Sequence, residues 1–165
     1  MKNVGFLIVL LLFFNACKKD NQLESEISKI DVDVNVERFD LAFADAKPSD
    51  LPKLKAACPF LFSERIPDSI WIERMNDPLQ KELSSEVKKT FTKFDDVKDD
   101  IRSLFQHLKY YDKTFKVPRI ITVTSDVDYR NKTIVTDTIV LISLDTYLGA
   151  DHHFYEGIQR FLTLR

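Results

Sequence analysis

Apolar and polar residues alternate with a period of two over Ile30-Asp31-Val32-Asp33-Val34-Asn35-Val36, the pattern of a half-buried strand. Its apolar face is Ile30, Val32, Val34 and Val36. The period then lengthens, and Leu41–Ala46 predicts a short helix. Pro48-Ser49-Asp50 opens another, with Asp50 as its cap and Pro52 in its first turn, and Pro59 ends it. Asp68 predicts a cap for a helix running to Met75. Asp77-Pro78-Leu79-Gln80 combines a cap residue, a proline at the first position and a glutamine three after the cap, as in a capping box. Leu79, Leu83, Val87 and Phe91 then recur every four residues as one apolar stripe. A third helix opens at Asp95 or Asp96, with Val97, Ile101, Leu104, Phe105, Leu108 and Tyr111 as its expected buried face.

Pro118 closes the helical block. Arg119–Thr124 is β-branched and predicts a strand. Tyr129–Lys132 is a turn, and Ile134–Thr136 and Ile139–Ile142 predict further strands. Ile139–Ile142 is apolar on both faces, which places it inside its sheet. Strand, helices, then strands predicts an α/β chain: an N-terminal strand, a helical block and a small mixed β-sheet, as a single domain over residues 30–165. The apolar ending Phe161-Leu162-Thr163-Leu164-Arg165 carries no C-cap or turn signal, and a truncated C-terminus is expected from it.

Ahead of this body, Lys2 is a short positive region and Val4–Phe14 an apolar core, followed by Asn15-Ala16 and then Cys17. The apolar run is too short to span a bilayer and has the flanks of a secretory signal. A cysteine directly after the small residue resembles the lipobox of bacterial lipoproteins. Residues 1–16 are therefore expected to be removed and Cys17 acylated, which would hold the chain to a membrane outside the cytoplasm. Residues 17–29 are charged and polar and predict a solvated tether. Acylation leaves Cys58 alone. It lies within Ala56-Ala57-Cys58-Pro59-Phe60-Leu61-Phe62, so a small core residue is expected and no disulfide.

Composition narrows the chemistry. The net charge of −2 offers no field for nucleic acid. Three glycines in 165 residues exclude both G-x-G-x-x-G and G-x-x-x-x-G-K-[ST]. No cysteine pair and no His-Glu-x-x-His marks a zinc site, so no cofactor is expected. The densest polar cluster is Asp145, Asp151, His152, His153 and Glu156, just past the inner strand. Two imidazoles and several carboxylates suit a borderline metal. Adjacent histidines in regular structure do not both reach one ion, however, and the plainer expectation is a loop with Asp151 capping a helix. Asp145, Asp151, His152 and His153 are thus weak metal candidates. Asp126 and Asp128 could bind a cation but more often bond their own turn. His107 is expected on a helix face with a satisfied partner, and Trp71 in the core.

Several longer strings occur in order: the lipobox, Val36-Glu37-Arg38-Phe39-Asp40, Cys58-Pro59-Phe60-Leu61-Phe62, Pro67-Asp68-Ser69-Ile70-Trp71-Ile72 and Asp77-Pro78-Leu79. After them come Leu104-Phe105-Gln106-His107-Leu108-Lys109-Tyr110-Tyr111, Ser125-Asp126-Val127-Asp128-Tyr129 and Leu144–Tyr155. In this order they resemble the gliding-motility lipoproteins of the GldB family of the Bacteroidota. The resemblance implies a lipid-anchored, non-catalytic protein of the cell envelope, held at the cell membrane or outer membrane through Cys17. It implies envelope proteins of the gliding machinery as partners, and a link to type IX secretion. It also implies the N-terminal part of a degenerate zinc-peptidase-like fold, whose metal-binding helix would lie beyond residue 165. The competing expectation is an envelope metal-dependent hydrolase that uses the Asp145–Glu156 cluster.

Overall fold

A computed structural model describes residues 16–157, with side chains from residue 22 onward. The leader and the apolar ending at 161–165 lie outside the described residues. The chain divides into two compact units, residues 1–34 with 95–117 and residues 35–94 with 118–165.

Among the described residues, the first unit holds two helices, α1 (Ala16–Ile27) and a later one (Asp95–Tyr111). The stretch read as a tether is helical as far as Ile27. Leu23 and Ile27, four residues apart, share one face of α1, and Ile27 is buried. Two apolar positions were too few to register as a period. Side chains of the later helix tie down the chain that follows α1. Gln106 donates to the carbonyls of Ser28 at 3.0 Å and Ile30 at 2.9 Å, and Lys109 donates to that of Asp31 at 3.1 Å. Phe105 is buried, its ring 5.4 Å from Phe115. The rest of the expected buried face is open: Leu104 is 54% exposed, Leu108 40% and Tyr111 70%, with Val97 and Ile101 partly covered. Burial alternates over residues 31–34 as its pattern predicts, Val32 and Val34 inward and Asp31 and Asp33 outward. Those residues make no ladder, however, because a period-two pattern orients side chains without supplying a neighbouring strand.

The second unit is built on a four-stranded sheet in the order β1-β2-β4-β3: β1 (Val36–Glu37), β2 (Arg119–Val123), β3 (Thr133–Val135) and β4 (Ile139–Ser143). β1, β2 and β4 run parallel, and β3 pairs antiparallel with β4 at an edge. The inner place expected for β4 is thus observed, shared with β2, whose Ile120–Val123 are buried. Arg119 fastens β1 to β2 through Glu37, with nitrogen–oxygen distances of 2.9 and 2.8 Å. That pairing holds the Glu37 carboxyl below its ordinary range.

The helices of this unit are α2 (Phe39–Ala44), α3 (Leu51–Ala57), α4 (Asp68–Asn76) and α5 (Pro78–Thr90); the first unit's Asp95–Tyr111 is α6. Asp77 caps α5 as predicted, accepting from the Gln80 amide at 2.9 Å, with Pro78 at the first position. The reciprocal half of a capping box is not made, because the Gln80 side chain donates to Asp126 instead. Asp50 does not cap α3. It accepts from the Lys47 amide at 2.8 Å, closing the 3-10 turn Pro48–Asp50. Asp68 lies inside the first turn of α4, where its carboxylate pairs with Lys55. On α5, Leu83 (2% exposed) and Val87 (1%) join Leu144, Leu148 and Tyr155 in one core cluster, whereas Leu79 faces outward at 59%. A second cluster gathers Leu51, Leu54, Phe62 and Met75. Cys58 is buried against Ile121 and Val123, as its apolar setting predicts, and burial pushes its thiol pKa up.

Candidate functional site

Three parallel strands end side by side, and the residues that follow them form the polar end of the sheet. Crevices outside the carboxyl ends of parallel strands are the usual location of sites in α/β proteins. After β1 come Arg38 and Asp40. Asp40 is buried, and Arg38 grips it with two parallel bonds, Nε at 2.9 Å and a terminal nitrogen at 2.8 Å. Thr122 of β2 donates its hydroxyl to the same carboxylate. Arg38 also donates to the carbonyl of Phe91 at 3.1 Å and lies over the Phe94 ring at 4.9 Å. Two fork bonds and a hydroxyl satisfy a buried charge that would otherwise be costly.

After β4 comes Asp145, fully buried. The loop following β2 wraps around its carboxylate. The Ser125 amide donates at 2.9 and 3.0 Å and the Val127 amide at 2.7 Å. Reaching this arrangement puts Asp126 at φ 58° and Val127 at φ 59°. The left-handed region is costly for a β-branched residue, so the bonds to Asp145 hold Val127 there. Burial pushes the Asp145 carboxyl above its ordinary range, against the pull of these amides. Tyr155 completes the knot, donating to the Asp145 carbonyl at 2.7 Å while its own oxygen accepts from the Leu148 amide at 2.8 Å.

The weak metal candidates are not gathered around one point. Asp145 faces the β2 loop. His152 and His153 stack on each other with ring centres 4.5 Å apart, yet each reaches a different glutamate of α5: Glu86 at 3.3 Å and Glu82 at 3.2 Å. The bond to His152 holds the Glu86 carboxyl below its ordinary range. The turn Asp151 was expected to cap is capped by His152 instead, whose Nδ1 accepts from the Phe154 amide at 3.3 Å. Asp151 and Glu156 are exposed. Among the described residues, no group of three or more His, Cys, Asp or Glu side chains is placed to hold a metal ion.

The turn reading of Asp126 and Asp128 is observed for Asp128, which accepts from the Arg130 amide at 3.1 Å and the Asn131 side chain at 2.8 Å. Asp126 instead takes both arms of Arg74 at 2.6 and 2.7 Å. His107 sits on the α6 face as expected, donating from Nδ1 to the Ser103 carbonyl at 2.8 Å, with Nε2 at 3.2 Å from Glu24. Cys17 falls in the first turn of α1, and its side chain lies outside the described residues. Among the described residues no helix is long and apolar enough to cross a membrane.

The family model for gliding motility protein GldB matches residues 20–165, almost all of the chain. The chain belongs to the GldB gliding-motility family. No individual curated protein and no solved structure matched it. The resemblance read from the ordered strings is therefore shown, and the GldB match spans both compact units. Several of the strings that carry it also build the polar sheet end of this GldB-family chain: Val36–Asp40 supplies Arg38 and Asp40, Ser125–Tyr129 the wrapped loop, and Leu144–Tyr155 Asp145 and Tyr155. Sequence reasoning missed the Arg38–Asp40–Thr122 group. Its signal was an Arg-Phe-Asp step beside a strand, which gives no hint that a threonine 82 residues later will meet it.

Proposed function

We propose that the protein is a lipid-anchored, non-catalytic component of the cell-envelope gliding machinery, associated with type IX secretion. The family match over residues 20–165 carries this reading. The leader followed by Ala16-Cys17 supports acylation at Cys17 and placement at the cell membrane or outer membrane. The non-catalytic role is supported by the engagement of the polar sheet end: Asp40, Asp145, His152 and His153 all hold bonds that organise the fold. The parallel strands with helices are compatible with a degenerate zinc-peptidase-like fold, a relationship that rests on the resemblance. Other envelope proteins of that machinery are the partners this reading names.

The test is Cys17→Ala in the native host, followed by fatty-acid labelling, membrane fractionation and colony spreading. Loss of label, loss of membrane retention and failed spreading are expected together. A variant that still carries label, or that spreads normally, overturns the anchor. For the non-catalytic part, zinc titration of the full chain is expected to show no stoichiometric binding. Stoichiometric binding that disappears in the His152→Ala, His153→Ala double variant would favour a metal-dependent hydrolase.

A further inference from the structure

β3 (Thr133–Val135) lies at an edge of the sheet, and among the described residues no strand pairs with its outer side. Its backbone bonds to β4 alternate. The Thr136 amide donates to the Ile139 carbonyl at 2.8 Å, and the Ser143 amide to the Lys132 carbonyl at 2.9 Å. In an antiparallel ladder the bonded positions recur every second residue, so Lys132, Ile134 and Thr136 turn their backbone groups to β4. Thr133 and Val135 turn theirs outward. The side chains along this edge are open as well: Ile134 is 43% exposed and Val135 69%. An uncovered edge of β-branched residues is a template for another strand.

The charges around β3 select that strand. Arg130 and Lys132 precede it and Asp137 follows it. Arg130 lies over the Tyr129 ring and Lys132 over the Tyr147 ring, and among the described residues none of the three forms an ion pair. An antiparallel second copy would set the basic end of each β3 beside the acidic end of the other. Parallel copies would set like charges together, which is unfavourable. The outward groups then fix the register. A two-fold axis at Ile134 puts Thr133 of each copy opposite Val135 of the other, each pair exchanging two backbone bonds. An axis at Thr133 or at Val135 would leave the other outward residue opposite Asn131 or Asp137, outside the strand.

We propose that β3 pairs with β3 of a second copy of this chain, antiparallel and two-fold about Ile134, so that two sheets join into one. The free backbone groups of Thr133 and Val135 supply the bonds, Ile134 meets its own copy at the axis, and the segregated charges favour the antiparallel sense. The paired run is short, so the association is weak and reversible.

With Cys17→Ser in the full chain, the remaining native thiol is the buried Cys58. Adding Ile134→Cys sets two thiols at the axis, on a non-hydrogen-bonded pair with Cα atoms about 4.5 Å apart, inside the span of a disulfide. Val135→Cys instead sets them on the diagonal, about 7–8 Å apart, too far to bridge. Under a mild oxidant, Ile134→Cys is expected to form disulfide dimer at least about tenfold faster than Val135→Cys, the reverse of the order that exposure alone would give. On the unaltered chain, hydrogen exchange of the Thr133 and Val135 amides is expected to slow as protein concentration rises. The Ile134 amide, already turned to β4, is expected to hold constant. Ile134→Lys sets two ammonium groups at the axis and is expected to remove the concentration dependence. The exchange result on the unaltered chain stands even if a variant fails to fold. Equal linking of the two cysteine variants, or exchange at Thr133 and Val135 that ignores concentration, would overturn the proposal. Slowing that appears only when a different extended peptide is added would overturn it too, and would give the edge to a foreign strand.

Discussion

Helices α5 and α6 look alike as sequences and differ as structures. An acidic residue, Asp77, caps α5, and two, Asp95 and Asp96, open α6; both helices show apolar positions at helical spacing. On α5 the stripe divides cleanly: Leu83 and Val87 are sealed in a core cluster with Leu144, Leu148 and Tyr155, and Leu79 is left outside. On α6 the balance is reversed. Phe105 is sealed, while Leu104, Leu108 and Tyr111 stand in the open. Helical periodicity reports that a face is apolar. It does not report how much of that face the rest of the chain covers. α5 has the sheet's own trailing loop to pack on, whereas α6 meets short segments that it holds by polar bonds from Gln106 and Lys109.

The sharpest way to break this comparison is to truncate matched leucines. Leu83→Ala is expected to cost about 2–5 kcal/mol in urea unfolding of the full chain, because it leaves a cavity in a closed cluster. Leu104→Ala on α6 is expected to stay within about 0.5 kcal/mol. Equal costs would mean that the α6 face is as buried as the α5 face. A smaller effect is expected at the helix start. Asp77→Ala removes the bond to the Gln80 amide and should cost about 1 kcal/mol, readable as a lower urea midpoint with an unchanged slope. The smallest effect is a titration on α6. Bonds to the Ser103 carbonyl and then Glu24 hold the His107 pKa above its ordinary value. The folded form therefore binds the proton more tightly than the unfolded chain. The resulting stabilisation is complete below the unfolded imidazole value of about 6.5 and fades as pH rises through the folded value. Proton NMR of the His107 ring should show the raised midpoint, and Glu24→Gln should move it part of the way back. A midpoint at or below the ordinary value would separate α1 from α6 at this contact.

How much was legible follows the same division. Local rules found the elements they govern. The Asp77 cap, the β-branched run of β2 and the doubly apolar run of β4 all lie where the sequence puts them, because each depends on neighbours a few residues away. The assignments that failed depended on distant partners. Asp50 and Asp68 have the right chemistry for caps, but Lys47 and Lys55 claim them. Gln80 sits at the capping-box position, yet Asp126, 46 residues on, takes its side chain. Asp145 was singled out for metal, and its burial was not foreseen, because the amides that surround it belong to a loop 18 to 20 residues earlier. The family strings were more informative than any motif. Three of them converge on the sheet end although they lie far apart in the chain.

Cys58 gives the fold a clock. Its thiol is 2% exposed, packed against Ile121 and Val123, and held protonated by its surroundings. A protonated, inaccessible thiol is inert towards alkylating reagents, since the thiolate is the species that reacts. The chain has two cysteines, so with Cys17 acylated or replaced by serine every alkylation must occur at Cys58. Each such event records one excursion in which β2 and the end of α3 part far enough to admit the reagent. Labelling rates on the protein in its native cells can then be set against rates on the purified chain, and slower labelling in cells would show that its cellular surroundings keep this part of the fold closed.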